Sequence, residues 1–291
     1  MRAFHFSNIF NMRSGLIIFC AIIFSACTNV FFQPQQIQYL TPDKIGLNYE
    51  DIYLNSSDEV RLHGWFLPAK GKTKGTVLFL HGNAENISTH IASVHWLPEQ
   101  NYNVFLLDYR GFGLSSGKPS IEGSQDDIDS AMKYLLSRAD IDTERIVIFA
   151  QSLGGALAIY NVAHSPYRKK IKALISESAF SDFRYIAREK LNAFWLTWPL
   201  QWPLSMTIDN EFSPLPAVNK ISPIPLLIIH GDLDNIVPSS HGQALFDAAA
   251  QPKEMWLVNN GRHIEAFRQA RYQARLLEYF ERVLPLGVMT K

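Results

Sequence analysis

Ser152 lies in Ala150-Gln151-Ser152-Leu153-Gly154-Gly155, between the apolar run Ile146-Val147-Ile148-Phe149 and the helix-prone Ala156-Leu157-Ala158-Ile159-Tyr160. A strand, a sharp turn with serine at its tip and then a helix form the setting of a nucleophile elbow, where small neighbours let the backbone fold back steeply. Ala150 stands where that turn usually has glycine, and it is still small. Serine could also simply cap the helix, but the preceding strand and the following glycine pair favour a nucleophile. A serine hydroxyl needs a base to take its proton and an acid to orient the base. Both follow later in the chain. Asp232 and Asp234 lie in His230-Gly231-Asp232-Leu233-Asp234-Asn235-Ile236-Val237-Pro238, and His263 in Asn259-Asn260-Gly261-Arg262-His263-Ile264-Glu265. Glu177, just past another apolar run, is a third carboxylate candidate. In His81-Gly82-Asn83-Ala84 a tight turn aims a backbone N–H at a developing oxyanion, Asn83 first and Ala84 in reserve, beside the N–H of Leu153. His81 and His230 read as structural turn residues. The set is suited to acyl transfer through a covalent serine intermediate.

Each of these loops follows an apolar run, and ligands gather beyond the carboxyl ends of the strands in an open parallel sheet. Runs at 76–80, 104–107, 145–149, 173–176, 225–229 and 254–258 are bounded by Gly, Pro or Asp, as suits strands buried on both faces. Stretches of helical period at 121–138, 153–163, 239–250 and 264–283 separate most of them. The alternation implies a parallel sheet with right-handed crossovers. Ahead of it, alternating segments at 49–54 and 60–67 flank Asn55-Ser56-Ser57-Asp58, an antiparallel hairpin. The sequence thus predicts an α/β body, a mostly parallel doubly wound sheet with an N-terminal hairpin. Between 180 and 223 no strand is predicted. There Trp195, Trp198 and Trp202 sit among Pro199 and Pro203, which interrupt a continuous helix. They are either core aromatics or part of a lid-like insert, 181–222, in which they line a substrate pocket. Asp126-Asp127-Ile128-Asp129 reads as a solvated helix N-terminus.

The chain has 291 residues, with 27 Lys plus Arg against 27 Asp plus Glu, and is 47% hydrophobic. A net charge of zero argues against a nucleic-acid partner, whose binding rests on phosphate neutralisation. The apolar content argues against disorder. No cofactor and no metal is called for: the remaining histidines lack ligand spacing, and the two cysteines, Cys20 and Cys27, both precede the body. Arg2 and Arg13 precede Leu16-Ile17-Ile18-Phe19-Cys20-Ala21-Ile22-Ile23-Phe24, which ends in Ser25-Ala26-Cys27. That order describes a secretory signal, and the run is shorter than the roughly 20 residues of a membrane span. Its exit resembles a bacterial lipobox, with Phe24 where Leu is preferred and Cys27 as the lipidated residue. The expected organisation is a lipoprotein-type signal peptide at 1–26, a polar tether at 27–46 and the body at 47–291. An uncleaved anchor, extended by Val30-Phe31-Phe32, is the alternative. Either way the expectation is a body held on a membrane, facing the periplasm or cell exterior.

The His81-Gly82-Asn83-Ala84 loop, Asp108-Tyr109-Arg110-Gly111-Phe112-Gly113-Leu114-Ser115, Gln151-Ser152-Leu153-Gly154-Gly155 and His263-Ile264-Glu265-Ala266-Phe267 together resemble the membrane-associated α/β-hydrolase-domain proteins, near the serine aminopeptidase group. The likeness covers roughly residues 47–285. It implies an α/β-hydrolase fold, with Ser152 as nucleophile, His263 as base and Asp234 as acid, chosen because the family acid directly precedes an Asn235-Ile236-Val237-Pro238-type ending. Asp108 and Arg110 then brace a loop. The expected activity is hydrolysis of esters or thioesters with lipid-like or other small acyl substrates. A peptidase or amidase of the serine aminopeptidase type, and a non-catalytic lipoprotein scaffold, are the alternatives.

Overall fold

The computed structural model describes residues 32–193 and 195–285. The expected signal peptide, Cys20 and the lipidation candidate Cys27 lie outside them. Eight strands form one sheet: β1 (Glu50–Asn55), β2 (Arg61–Leu67), β3 (Gly75–Leu80), β4 (Tyr102–Asp108), β5 (Ile146–Gln151), β6 (Ile171–Glu177), β7 (Leu226–Gly231) and β8 (Lys253–Val258). Their order is β1-β2-β4-β3-β5-β6-β7-β8. β1 and β2 form the expected antiparallel hairpin, β2 joins β4 antiparallel, and every later pairing is parallel. This is the α/β-hydrolase fold.

The continuous apolar runs are explained by burial on both faces. In β3, Leu78 and Leu80 point into one core layer and Val77 and Phe79 into the other, as the two-residue period of a strand requires. Helices α1 (Ile121–Ser137) and α2 (Leu153–His164) cover the first face with Ile128, Met132, Leu157 and Val162. Leu245, on a later helix (Ser239–Ala248), joins them there. The C-terminal helix (Ala270–Val283) covers the second face with Tyr272, Leu276 and Phe280. That helix begins later than the periodicity suggests, because Ile264 takes a left-handed turn (φ +50°) and the loop behind it carries His263.

Among the described residues, no strand interrupts 181–222. Asp182 caps α3 (Phe183–Asn192), accepting from the Tyr185 N–H (2.8 Å). After a tight turn at Trp198–Leu200 comes α4 (Gln201–Met206). Pro203 falls in the first turn of α4, where its missing N–H has no helical partner to lose.

One expectation is corrected and one is extended. Most side chains of residues 33–46, within the expected tether, are exposed, yet the segment is bonded to the body. Phe32 is buried edge-on against Phe112. Gly113 N–H donates to Gln35 O (2.9 Å), and the Asn86 amide donates to Gln35 O and Ile37 O (2.9 and 2.8 Å). Bonds to backbone carbonyls are indifferent to side-chain type, so a polar, proline-containing composition hides them. Asp127, expected in solvent, is fully buried and accepts from the Arg110 guanidinium (2.8 Å), which also reaches Asp58 (2.7 Å) and Ser56 (3.0 Å). Arg110 thus ties α1 to the turn of the hairpin. Breaking a buried ion pair from one side leaves an uncompensated charge, at about 3–5 kcal/mol. Arg110→Met is therefore expected to lower unfolding free energy by about that much in urea titrations, and adding Asp127→Asn should recover part of it. An unchanged midpoint in the single variant would contradict the bracing role.

Candidate active site

β5 runs straight into the turn that carries Ser152, and α2 starts at the next residue. Ser152 has φ +52° and ψ −117°, a sparsely populated conformation for a residue with a Cβ. Close backbone approach holds it. A Cβ on Gly154 would lie 2.4 and 2.5 Å from the carbonyl oxygens of His81 and Leu80, and one on Gly155 2.8 Å from Ser176 Oγ. Ser152 N–H donates to Glu177 O (2.8 Å), fixing the turn to the end of β6.

From that turn a line of hydrogen bonds crosses two further loops. Ser152 Oγ lies 2.9 Å from His263 Nε2, and His263 Nδ1 lies 2.7 Å from Asp234 Oδ2. With Nδ1–H donating to the carboxylate, Nε2 is free to accept from the serine hydroxyl. The other oxygen of Asp234 accepts from the N–H groups of Ile236 and Val237 (2.9 Å each). Burial alone would raise the Asp234 carboxyl, but the bonds from His263, Val237 and Ile236 outweigh it and hold it below the usual range. Of the three carboxylates considered, Asp234 is the one that meets His263. Asp232 is exposed. Glu177 is buried beneath the histidine loop, where it accepts from Ala266 N–H (3.0 Å) and the Gln151 amide (2.6 Å). Burial raises its pKa. It supports the loop that carries His263.

The turn after β3 comes close on the other side. A Cβ on Gly82 would sit 3.3 Å from Ser152 Cβ and 3.3 Å from His90 Cε1, so the loop lies against the serine. Ala84 and Glu85 are both left-handed, at φ +63° and +56°. Asn83, Ala84 and Leu153 line the same cavity as Ser152 and His263. The N-terminal arm secures this loop: Gln33 N–H donates to Asn83 Oδ1 (2.8 Å) and Tyr39 N–H to Ser88 Oγ (3.0 Å). Gln33 itself lines the cavity.

That cavity has a volume of about 780 Å³, within the range of small-molecule sites. The insert supplies Ile186, Ala187, Leu191, Leu204 and Ile208, and the body Phe180 and Val237. Lys190 is its only Lys, Arg, Asp or Glu among the described residues. The pocket expectation for Trp195, Trp198 and Trp202 is corrected. All three are exposed and none lines the cavity. Aliphatic residues of the insert, Leu191, Leu204 and Ile208, take the inner face instead. Among the described residues, no group of three or more His, Cys, Asp or Glu could hold a metal ion.

The serine aminopeptidase S33 family pattern matches residues 71–212. The Escherichia coli (strain K12) protein YfhR, uncharacterised, is 35% identical over 269 residues that cover 88% of this chain and 90% of YfhR. The chain belongs to the serine aminopeptidase family of α/β hydrolases. The α/β hydrolase domain-containing protein WAV2 of Arabidopsis thaliana is 34% identical over 84% of this chain and 83% of WAV2. An esterase of Pyrococcus furiosus superposes with a TM-score of 0.73 over 87% of this chain and 98% of its own at 21% identity, a likeness of fold.

Beneath the Asn83 loop of this α/β hydrolase lies a buried histidine layer that no motif announces. His81 and His90 stack with ring centroids 5.3 Å apart, and Asp108 accepts from Ile87 N–H (2.9 Å) beside them. His81 Nδ1–H donates to Gly82 O (2.7 Å). Burial lowers His81 to about 4, and burial with the neighbouring His81 lowers His90 to about 4. Both stay neutral in the folded protein but gain protons on unfolding below about pH 6.5. Each therefore contributes stability that is whole above that pH and lost as pH falls toward 4. His63 opposes them: burial works to lower it, yet Asp108 and Asp51 outweigh burial and raise it. Imidazole NMR titrations are expected to give midpoints near 4 for His81 and His90. A midpoint at or above the ordinary value for either would contradict a neutral layer under the loop.

Proposed function

We propose that the protein is a serine hydrolase that cleaves carboxylic esters or thioesters through an acyl-enzyme, acting on apolar acyl substrates at a membrane surface. The observation that carries this reading is the unbroken line from Ser152 through His263 to Asp234, opening on an apolar cavity. His263 Nε2 takes the Ser152 proton as Oγ attacks the acyl carbon, and Asp234 steadies the imidazolium that forms. The N–H groups of Asn83 and Leu153 stabilise the oxyanion, the second from the first turn of α2, where the helix dipole adds positive potential. The protonated His263 then returns its proton to the leaving alcohol or thiol. Water, deprotonated by the same imidazole, releases the acid and restores the serine. Anchorage comes from a lipidated Cys27 or from the uncleaved apolar segment before it, with the body facing the periplasm or cell exterior.

Family membership also brings a peptidase reading. An aminopeptidase has to hold the ammonium of its substrate. Among the described residues no carboxylate lines the cavity, and the one charged Lys, Arg, Asp or Glu side chain there is Lys190, whose charge would repel an ammonium. A scaffold without catalysis is disfavoured for another reason: it would have no use for a strained serine within hydrogen-bond reach of an oriented imidazole.

Kinetics on p-nitrophenyl esters of increasing chain length test the proposal. Ser152→Ala should lose at least roughly a thousandfold of turnover, judged by triad losses of about 10⁴–10⁶. Leu204→Trp should cut turnover of long-chain esters several-fold while sparing acetate, since Leu204 lines the cavity. Unchanged activity in Ser152→Ala would overturn the mechanism. Equal losses on short and long esters in Leu204→Trp would overturn the acyl site.

A further inference from the structure

The residues from 191 to 208 include no Asp, Glu, Lys or Arg. Their inner face, through Leu191, Leu204 and Ile208, lines the cavity. Their outer face is apolar as well. Trp195, Trp198 and Trp202 are 77%, 57% and 58% exposed, and Leu196, Leu200 and Met206 are also exposed. Large hydrophobics concentrated like this on a surface mark an interaction site, whereas scattered single ones do not. Tryptophan favours the boundary between lipid chains and headgroups, where its ring is buried and its N–H stays wet. A cation is stationed beside the patch: the Arg188 guanidinium stacks 3.7 Å above the Trp202 ring. Arg184 and Lys190 lie on the same helix. The one acid among them, Glu189, is bound to His241 of the body (3.0 Å). Apolar residues next to unneutralised cations suit an anionic phospholipid surface.

The N-terminal arm fixes which side of the body can meet that surface. Phe32 is seated against Phe112, and the next residue, Gln33, lines the same cavity as Leu191 and Leu204. Four residues lie between Cys27 and Phe32, so the five steps reach at most ~18 Å when fully extended. A body of this length has a radius of gyration of about 18 Å. Anchored so closely at the cavity wall, it cannot turn that end away from the bilayer.

We infer that the outer face of the insert, centred on Trp195, Trp198 and Trp202, docks on a phospholipid bilayer, with the cavity end of the molecule facing the lipid. The inference rests on the anchorage proposed above and is independent of what the site hydrolyses. The face inserts to headgroup depth, and a substrate leaving the bilayer meets the insert first.

The test uses the full chain reconstituted with phosphatidylcholine–phosphatidylglycerol vesicles whose acyl chains carry bromine, which quenches tryptophan only at lipid depth. The chain has 6 tryptophans, and Trp65 and Trp256 are buried in the core. The expected result is loss of the emission contributed by Trp195, Trp198 and Trp202, and no bromine-dependent loss in Trp195→Ser/Trp198→Ser/Trp202→Ser. An unchanged thermal midpoint would show that this variant is folded. Vesicle-bound protein whose tryptophans ignore bromine but remain open to acrylamide would overturn the docking and leave the anchorage standing. Tryptophans closed to both quenchers would mean that a second copy or another segment of the chain covers the face, which also overturns it. Failure to sediment with vesicles would overturn anchorage and docking together.

Discussion

The backbone at Ser152 is the constraint around which the molecule is arranged. Holding a residue with a side chain at φ +52° costs on the order of 1–3 kcal/mol, so the surroundings must over-determine it. They do so with carbonyl oxygens and missing side chains. Gly154 lets α2 press onto the last carbonyls of β3, Gly155 lets it pass Ser176, and the serine N–H is held by Glu177 O. All three contacts require β5 between β3 and β6, which is its place in the sheet. The buried strands therefore do more than fill a core: their register delivers the atoms that make the turn possible.

Polar support is layered in the same way. Asp234 stays ionised because three hydrogen bonds outweigh its burial. Glu177 supports the His263 loop from below. On the other side of the serine, Asp108, His81 and His90 lie beneath the Asn83 loop, while the N-terminal arm holds it from outside. Groups that act on developing charge gain most when they are fixed before the reaction begins. The arm makes one such fixture depend on a segment only five residues from Cys27, so the proposed surface attachment and the site geometry would share a stretch of chain.

The sheet and the placement of its loops were legible because both leave local traces. Strands buried on two faces read as continuous apolar runs, and the elbow demands small residues at fixed offsets. The choice among Asp232, Asp234 and Glu177 was not legible from spacing, since each follows a strand. Only the family's ending at Val237-Pro238 favoured Asp234, and the geometry that separates the three is a matter of which oxygen reaches Nδ1 of His263. Asp127 misled because a buried charge and a solvated one are the same letter, and its partner Arg110 lies on a distant loop. The tryptophans misled because a helix with two apolar faces gives no sign of which one turns inward. The contacts of the arm left little trace in the sequence because most of its bonds run through its own backbone N–H and C=O groups, which no composition records.

In the proposed mechanism Ser152 is a nucleophile activated by His263 and Asp234. Fluorophosphonate labelling of the full chain, with the adduct mapped by mass spectrometry, tests it most directly. A single adduct on Ser152 is expected, absent in Ser152→Ala and much slower to form in Asp234→Asn. A folded protein that takes no label, or takes it at another residue, would contradict it.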